Sequence, residues 1–156
     1  MTVLNYTTKI AATKTVGEIQ AMLAKAGASR IATDYEDGGA SGLTFSLTTP
    51  HGPKLFSLPV DVRAMHRLLV SECNDGKLRS GGVSIAVLTS REHAERVAWR
   101  VMKDWLEAQL ALVQTQMVQI DQVLLPYLHV DGDTTLYAAY RERESALAIE
   151  GGASRG

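Results

Sequence analysis

Apolar positions along this chain keep two different periods. Between Arg30 and Val60 they alternate. Ile31, Thr33 and Tyr35 fall on one side of Arg30–Glu36, Leu43, Phe45 and Leu47 on one side of Gly42–Thr49, and Phe56, Leu58 and Val60 on one side of Lys54–Val60. Alternation of this kind predicts half-buried strands. Asp37-Gly38-Gly39 and Pro50-His51-Gly52-Pro53 separate the runs and carry residues that favour tight turns. Two hairpins in succession make an antiparallel meander with one apolar face. Val3–Ile10 adds a candidate first strand through Leu4, Tyr6 and Thr8.

Elsewhere the spacing is three and four, as in a helix. Val16, Ile19, Gln20 and Leu23 share a face of a helix that starts at Thr13 or Thr15 and ends at Gly27. Glu18 stands three residues after Thr15, the spacing of a capping box. Asp61–Ser71 repeats the pattern, with Asp61 as its cap, Val62, Met65, Leu68 and Leu69 inward, and Arg63 and Arg67 outward. Asn74-Asp75-Gly76 and Ser80-Gly81-Gly82 read as turns, and Val83–Leu88 as a short strand or extended link.

From Ser90 to Leu125 there is neither glycine nor proline, the residues most hostile to a helix interior. Ser90 is the expected cap and Pro126 the stop, giving a rod of roughly 50 Å. Glu92/Arg96, Arg100/Asp104 and Lys103/Glu107 stand at i,i+4, and Ala94, Val97, Ala98, Val101, Trp105 and Ala108 form a stripe. From Ala108 to Ile120 no charge occurs, and apolar residues surround the axis. A long helix apolar on more than one side is buried on more than one side. In a chain of 156 residues the simplest cover is another subunit, and the alternative is a C-terminal segment folding back. Asp131-Gly132-Asp133 turns into a last helix over Thr134–Ile149, with Glu150–Gly156 frayed. The predicted fold is therefore an oligomeric α+β protein. An N-terminal antiparallel sheet with a covering helix precedes a long C-terminal helix and a shorter final one. Residues 1–150 form one domain, its sheet part about 1–89 and its helical part about 90–150, with a disordered tail at 151–156.

Composition narrows the function. Net charge is −1, against a generic polyanion binder. The lone cysteine, Cys73, forms no intrachain disulfide and fits a reducing compartment. The N-terminus lacks the apolar core of a signal peptide, and no apolar run has the length of a membrane span, so a cytoplasmic protein with no membrane partner is expected. No CxxC, HExxH, Walker A or GxGxxG motif occurs. His51, His66, His93 and His129 lack metal spacing, and DGDTT at Asp131 lacks the later ligands of a calcium loop. Asp34 and Glu36 stand beside a turn, where a solvated strand edge is expected. No catalytic residue, metal ligand or cofactor is expected, so the chain reads as a non-enzyme.

A cationic row remains. Arg96 and Arg100 lie one turn apart on the long helix, with Arg91 and Lys103 extending the row. Guanidiniums at i,i+4 can each offer a planar fork to a phosphate. The alternative pairs them with Glu92 and Asp104 on a solvated face. Trp99 sits off the core stripe near the arginines, where it packs at an interface or stacks on a base.

NYTTKI, KTVGEIQAMLAKAGA, FSLPV and above all AERVAWRVMKDWLEAQLALVQTQMVQIDQVLLPYL resemble a family of small phage and prophage proteins, the first family of anti-Thoeris proteins. The likeness runs from about Asn5 to Leu128. It implies a sponge that captures, without cleaving, the cyclic ADP-ribose-type signal of bacterial Thoeris defence in the infected cell. It implies an antiparallel sheet followed by long kinked helices, paired protomers, and a ligand at their boundary held through its phosphates by two arginines one turn apart. Arg96 and Arg100 match that spacing. The family's aromatic and amide pocket residues lie upstream of this helix; residues 72–89 depart from that pattern, and none is carried over. Some members are similar in binding cyclic dinucleotides at separate sites. Two other functions fit the residues, a single-stranded nucleic-acid binder and a non-catalytic oligomeric interaction protein.

Overall fold

The computed structural model describes residues 2–79 and 81–153. Three strands, β1 (Arg30–Glu36), β2 (Gly39–Thr49) and β3 (Gly52–Pro59), form an antiparallel sheet in that order. Glu36 pairs with Gly39, so Asp37 and Gly38 alone make the first turn, and both are left-handed (φ 52° and 82°). That is the two-residue hairpin whose twist matches the strands. Phe45 of β2 faces Phe56 of β3 in register, their rings stacked at 5.9 Å. With Leu43, Leu47 and Leu58 they make the buried face of the sheet. Gly42 is required where the strands approach: a Cβ there would lie 2.8 Å from the Leu58 carbonyl oxygen. The register slips after Asp34, and Tyr35, expected on the apolar side, is 71% exposed.

The helix α1 (Ala12–Lys25) buries Val16, Ile19 and Leu23 against this core, and Gly27 (φ 104°) ends it as expected. Its start differs from expectation: Ala11 is the cap residue, and Thr15 is buried inside the helix, its hydroxyl without a partner among the described residues. Glu18 leaves the expected capping box and reaches Arg100 instead. The helix α2 (Val62–Asn74) is capped by Asp61, which accepts from the Ala64 amide at 2.9 Å.

The long helix, α4 (Arg91–Gln114), begins as predicted, with Ser90 Oγ accepting from the His93 amide at 3.1 Å. It packs between α1 and α2. Trp99 and Leu106 join the sheet core, while Ala94 and Val97 meet Leu69 of α2 in a second cluster that includes Val3 and Tyr6.

Three expectations are corrected, and a fourth cannot be placed. Val3–Ile10 is no strand: Asn5 is left-handed (φ 65°), and its amide donates to Asp104 at 2.7 Å, so the segment turns along α4. Val83–Leu88 holds a short helix, α3 (Ile85–Leu88), because the Ser84 hydroxyl accepts from the Val87 amide. The turn expected at Ser80-Gly81-Gly82 includes Ser80, which lies outside the described residues. The α4 helix stops at Gln114, well short of Leu125, because Gln116 adopts φ 63° and donates its amide to Val113. The chain then doubles back through α5 (Ile120–Val123) and a single 3₁₀ turn (Leu125–Tyr127). Leu124 is fully buried in the main core, with Ile120, Val123, Tyr127 and Leu128 packed around it. Much of the cover that the apolar half of α4 needs thus comes from its own chain, although Leu112 and Met117 stay exposed.

Leu128 bridges to Phe56, and β4 (His129–Asp131) and β5 (Thr134–Thr135) form a small hairpin. The last helix, α6 (Leu136–Ala153), passes Ile149 and takes in Gly151–Ala153, part of the expected tail; Ser154–Gly156 lie outside the described residues. From Tyr140 to Glu150 every residue of α6 is exposed. No helix among the described residues is long and apolar enough to cross a membrane.

Candidate anion-binding site

Arg96 and Arg100 stand one turn apart on α4 as expected, and Arg100 reaches Glu18 of α1. Their side chains are only 20% and 16% exposed. Arg96 Nη1 donates to Glu92 at 3.2 Å, and Arg96 Nη2 lies 3.4 Å from His93 Nδ1. His93 Nε2 donates to the Tyr6 carbonyl, which leaves Nδ1 as the acceptor in the neutral ring. Arg96 Nε is buried with no partner among the described residues. Arg100 bonds Glu18 through Nη1 at 2.9 Å. The predicted Arg100–Asp104 pair does not form, since Asp104 accepts from Asn5. Lys103 lies 3.7 Å from Glu18 and 3.5 Å from Glu107.

Each guanidinium therefore keeps free donors. A guanidinium carries five N–H groups, and here one or two of them are used. Glu92 is 83% exposed and holds Arg96 by one contact, a pairing worth little in water. An incoming phosphate would replace single contacts with bidentate ones.

The other two candidates lie elsewhere. Arg91 is about 140° around the helix from Arg96. It points to the first hairpin, where it donates to Asp37 Oδ2 at 3.1 Å. Trp99 is fully buried, and its Nε1 donates to the Ala40 carbonyl at 3.0 Å. It is a core residue, unavailable to stack on a base. Its position off the predicted stripe reflects a helix buried on three sides, so that more than one stripe is core.

The sequence pattern missed the company Arg91 keeps. Arg63 and Arg67, read there as outward-facing, line with Arg91 a cleft of about 420 Å³ beside the hairpin. Arg63 Nη2 is 2.9 Å from both Glu36 and Asp37. The hydrogen bond from Arg63, reinforced by Arg91, holds the Asp37 carboxyl below the usual carboxylate range. The signal available in sequence was the i,i+4 spacing of Arg63 and Arg67, the same spacing as Arg96 and Arg100.

One further polar chain escaped the sequence. Thr44 Oγ1 donates to Asp34 at 3.1 Å and lies 3.0 Å from Ser57 Oγ, which is 2.7 Å from His129 Nε2. His129 Nδ1 is buried without a partner among the described residues, so nothing orients the ring as a base needs. This chain ties the C-terminal segment to β3. No group of histidine, cysteine and carboxylate residues that could hold a metal occurs among the described residues.

Compared with models of protein families, with curated proteins and with solved structures, the chain has no match.

Proposed function

We propose that this protein sequesters a cyclic ADP-ribose-type nucleotide, the signal of bacterial Thoeris defence, in the cytoplasm of an infected host without degrading it. The reading rests on the resemblance across Asn5–Leu128. One observation supports it most: Arg96 and Arg100 lie side by side, mostly buried, each with donors to spare. Two such forks suit the two phosphates of a cyclic dinucleotide-sized anion. Holding a ligand needs no nucleophile or base, only donors and a desolvated wall.

The wall is completed by a second protomer in this reading, with the ligand at the boundary. The exposed Leu112, Met117 and α6 surfaces are available for that pairing. Cyclic dinucleotides are further candidates for capture. The single-stranded nucleic-acid reading is weakened by the burial of Trp99, which removes its stacking platform. The exposed last helix favours one rival, a non-catalytic interaction protein whose partners are proteins alone.

The test is capture and release. Protein is incubated with activated Thoeris signal, filtered, and denatured. The expected result is loss of signal from the filtrate and its return, chemically intact, after denaturation. In the double variant Arg96→Ala, Arg100→Ala the signal stays in the filtrate while the protein's assembly state is kept. A signal that returns cleaved, or capture unaltered in the double variant, would refute the reading.

A further inference from the structure

Asp37 occupies the place a ligand oxygen would take. Its Oδ2 accepts from Arg63 Nη2 at 2.9 Å and from Arg91 Nη2 at 3.1 Å. The two arginines come from different helices, α2 and α4, and Asp37 comes from the hairpin tip between β1 and β2. The cleft of about 420 Å³ beside them is of a size that takes a small ligand. Arg67, one turn beyond Arg63 on α2, lines the same cleft. It is exposed and has no hydrogen-bond or ion-pair partner among the described residues. Three guanidiniums thus address one cleft: two share a single carboxylate oxygen, and the third is uncommitted.

The rest of the lining selects the ligand. Glu36, Asp61 and Glu95 bring carboxylates to the same walls. Asp61 already caps α2, and Glu95 Oε1 accepts from the Ala40 amide at 3.2 Å. A wall of balanced charge offers an extended polyanion no net attraction. It accepts a molecule whose negative charge is gathered on one group and which carries hydroxyl or amino donors elsewhere. A phosphate monoester has that character: three terminal oxygens match donors arriving from separate arginines, and guanidinium suits phosphate geometrically.

We propose that this cleft binds a small phosphate monoester, its phosphate displacing Asp37 from between Arg63 and Arg91 and taking Arg67 as a third partner, while its hydroxyl or amino groups donate to Glu36 and Glu95. The site is separate from Arg96 and Arg100 and stands whether or not they hold a nucleotide.

Full-length protein is titrated with inorganic phosphate, adenosine monophosphate and adenosine, following backbone amide shifts and heats of binding. Phosphate and adenosine monophosphate are expected to move the amides of Asp37–Ala40 and Arg63–Arg67, and adenosine to leave them in place. Arg67→Ala, at an exposed and unpartnered position, should weaken adenosine monophosphate about tenfold or more. Asp37→Asn removes the internal competitor and should tighten binding severalfold. The double variant Arg96→Ala, Arg100→Ala should bind as the parent does. Shifts absent from these amides, adenosine binding as well as its monophosphate, Arg67→Ala binding unchanged, Asp37→Asn binding more weakly, or loss of binding in the double variant would each overturn the proposal.

Discussion

The indole nitrogen of Trp99 donates to the carbonyl of Ala40 at 3.0 Å, and both residues are buried. This bond pins the middle of α4 to the start of β2, directly behind the hairpin that carries Asp37. Trp99→Phe would keep an aromatic ring there and leave the carbonyl without its donor. The expected cost is about 1–3 kcal/mol of unfolding free energy. Urea denaturation measures it, and a variant as stable as the parent would mean that water replaces the indole.

Asp37 links stability to pH. Its carboxyl titrates below the ordinary value of 3.8 because Arg63 and Arg91 favour its charged form. A depressed folded-state pKa contributes stability that is fully present above the unfolded value and is lost as pH falls through the folded one. Asn tolerates the left-handed backbone at this position, so Asp37→Asn isolates the charge. The parent's advantage over Asp37→Asn should be constant from neutrality to about pH 4 and shrink below it. It should also shrink with added salt, since the group is exposed. Thermal unfolding of both proteins across pH is the measurement; a gap that widens in acid would reverse the assignment.

Glu18 competes with any anion for Arg100 and Lys103, at 2.9 and 3.7 Å. Glu18→Gln keeps the side-chain shape and removes the competing charge. Signal capture should tighten, while stability falls by about 1–3 kcal/mol, because Arg100 is only 16% exposed and exchanges a charged partner for a neutral one. Equilibrium dialysis against labelled signal, beside a denaturation curve, separates the two effects. Weaker capture by this variant would show that Glu18 orients Arg100 and does not block it.

From Arg141 to Gly152 every residue of the last helix is exposed. Isolated helices of this length are marginal in water. A chain ending after Tyr140 should unfold at the same urea concentration as the parent, because residues 141–152, the part of the removed segment whose exposure is described, are all exposed. If this helix is a seam between protomers, the shortened chain should also sediment at lower mass. An unchanged mass would move the seam to Leu112 and Met117.

The expectations that held rest on local rules. Asp37-Gly38 can adopt two consecutive left-handed conformations, and the hairpin sits there. Ser90 and Asp61 carry short side-chain acceptors before helical spacing, and both cap. What was illegible depended on partners distant in sequence. Gln116 has no intrinsic preference for φ 63°, and it reverses the chain because Leu124 finds a place in the core. Thr15 was read as a cap because of Glu18, yet Glu18 is drawn to Arg100, far along the chain. Arg91 and Arg96 looked like one row, but five residues of helix turn them to different neighbours. Of the four residues expected at the site, Arg96 and Arg100 stand together, Arg91 belongs to another cleft, and Trp99 belongs to the core.

The reversal at Gln116 also bears on synthesis. Leu124 and Leu128 join the core that holds Trp99, Phe45 and Phe56, so that core lacks its last pieces until residues 120–128 have left the ribosome. A nascent chain that stalls before Ile120 would present an uncovered greasy helix end to chaperones and proteases. A chain caught at that length shows apolar surface that the finished fold covers.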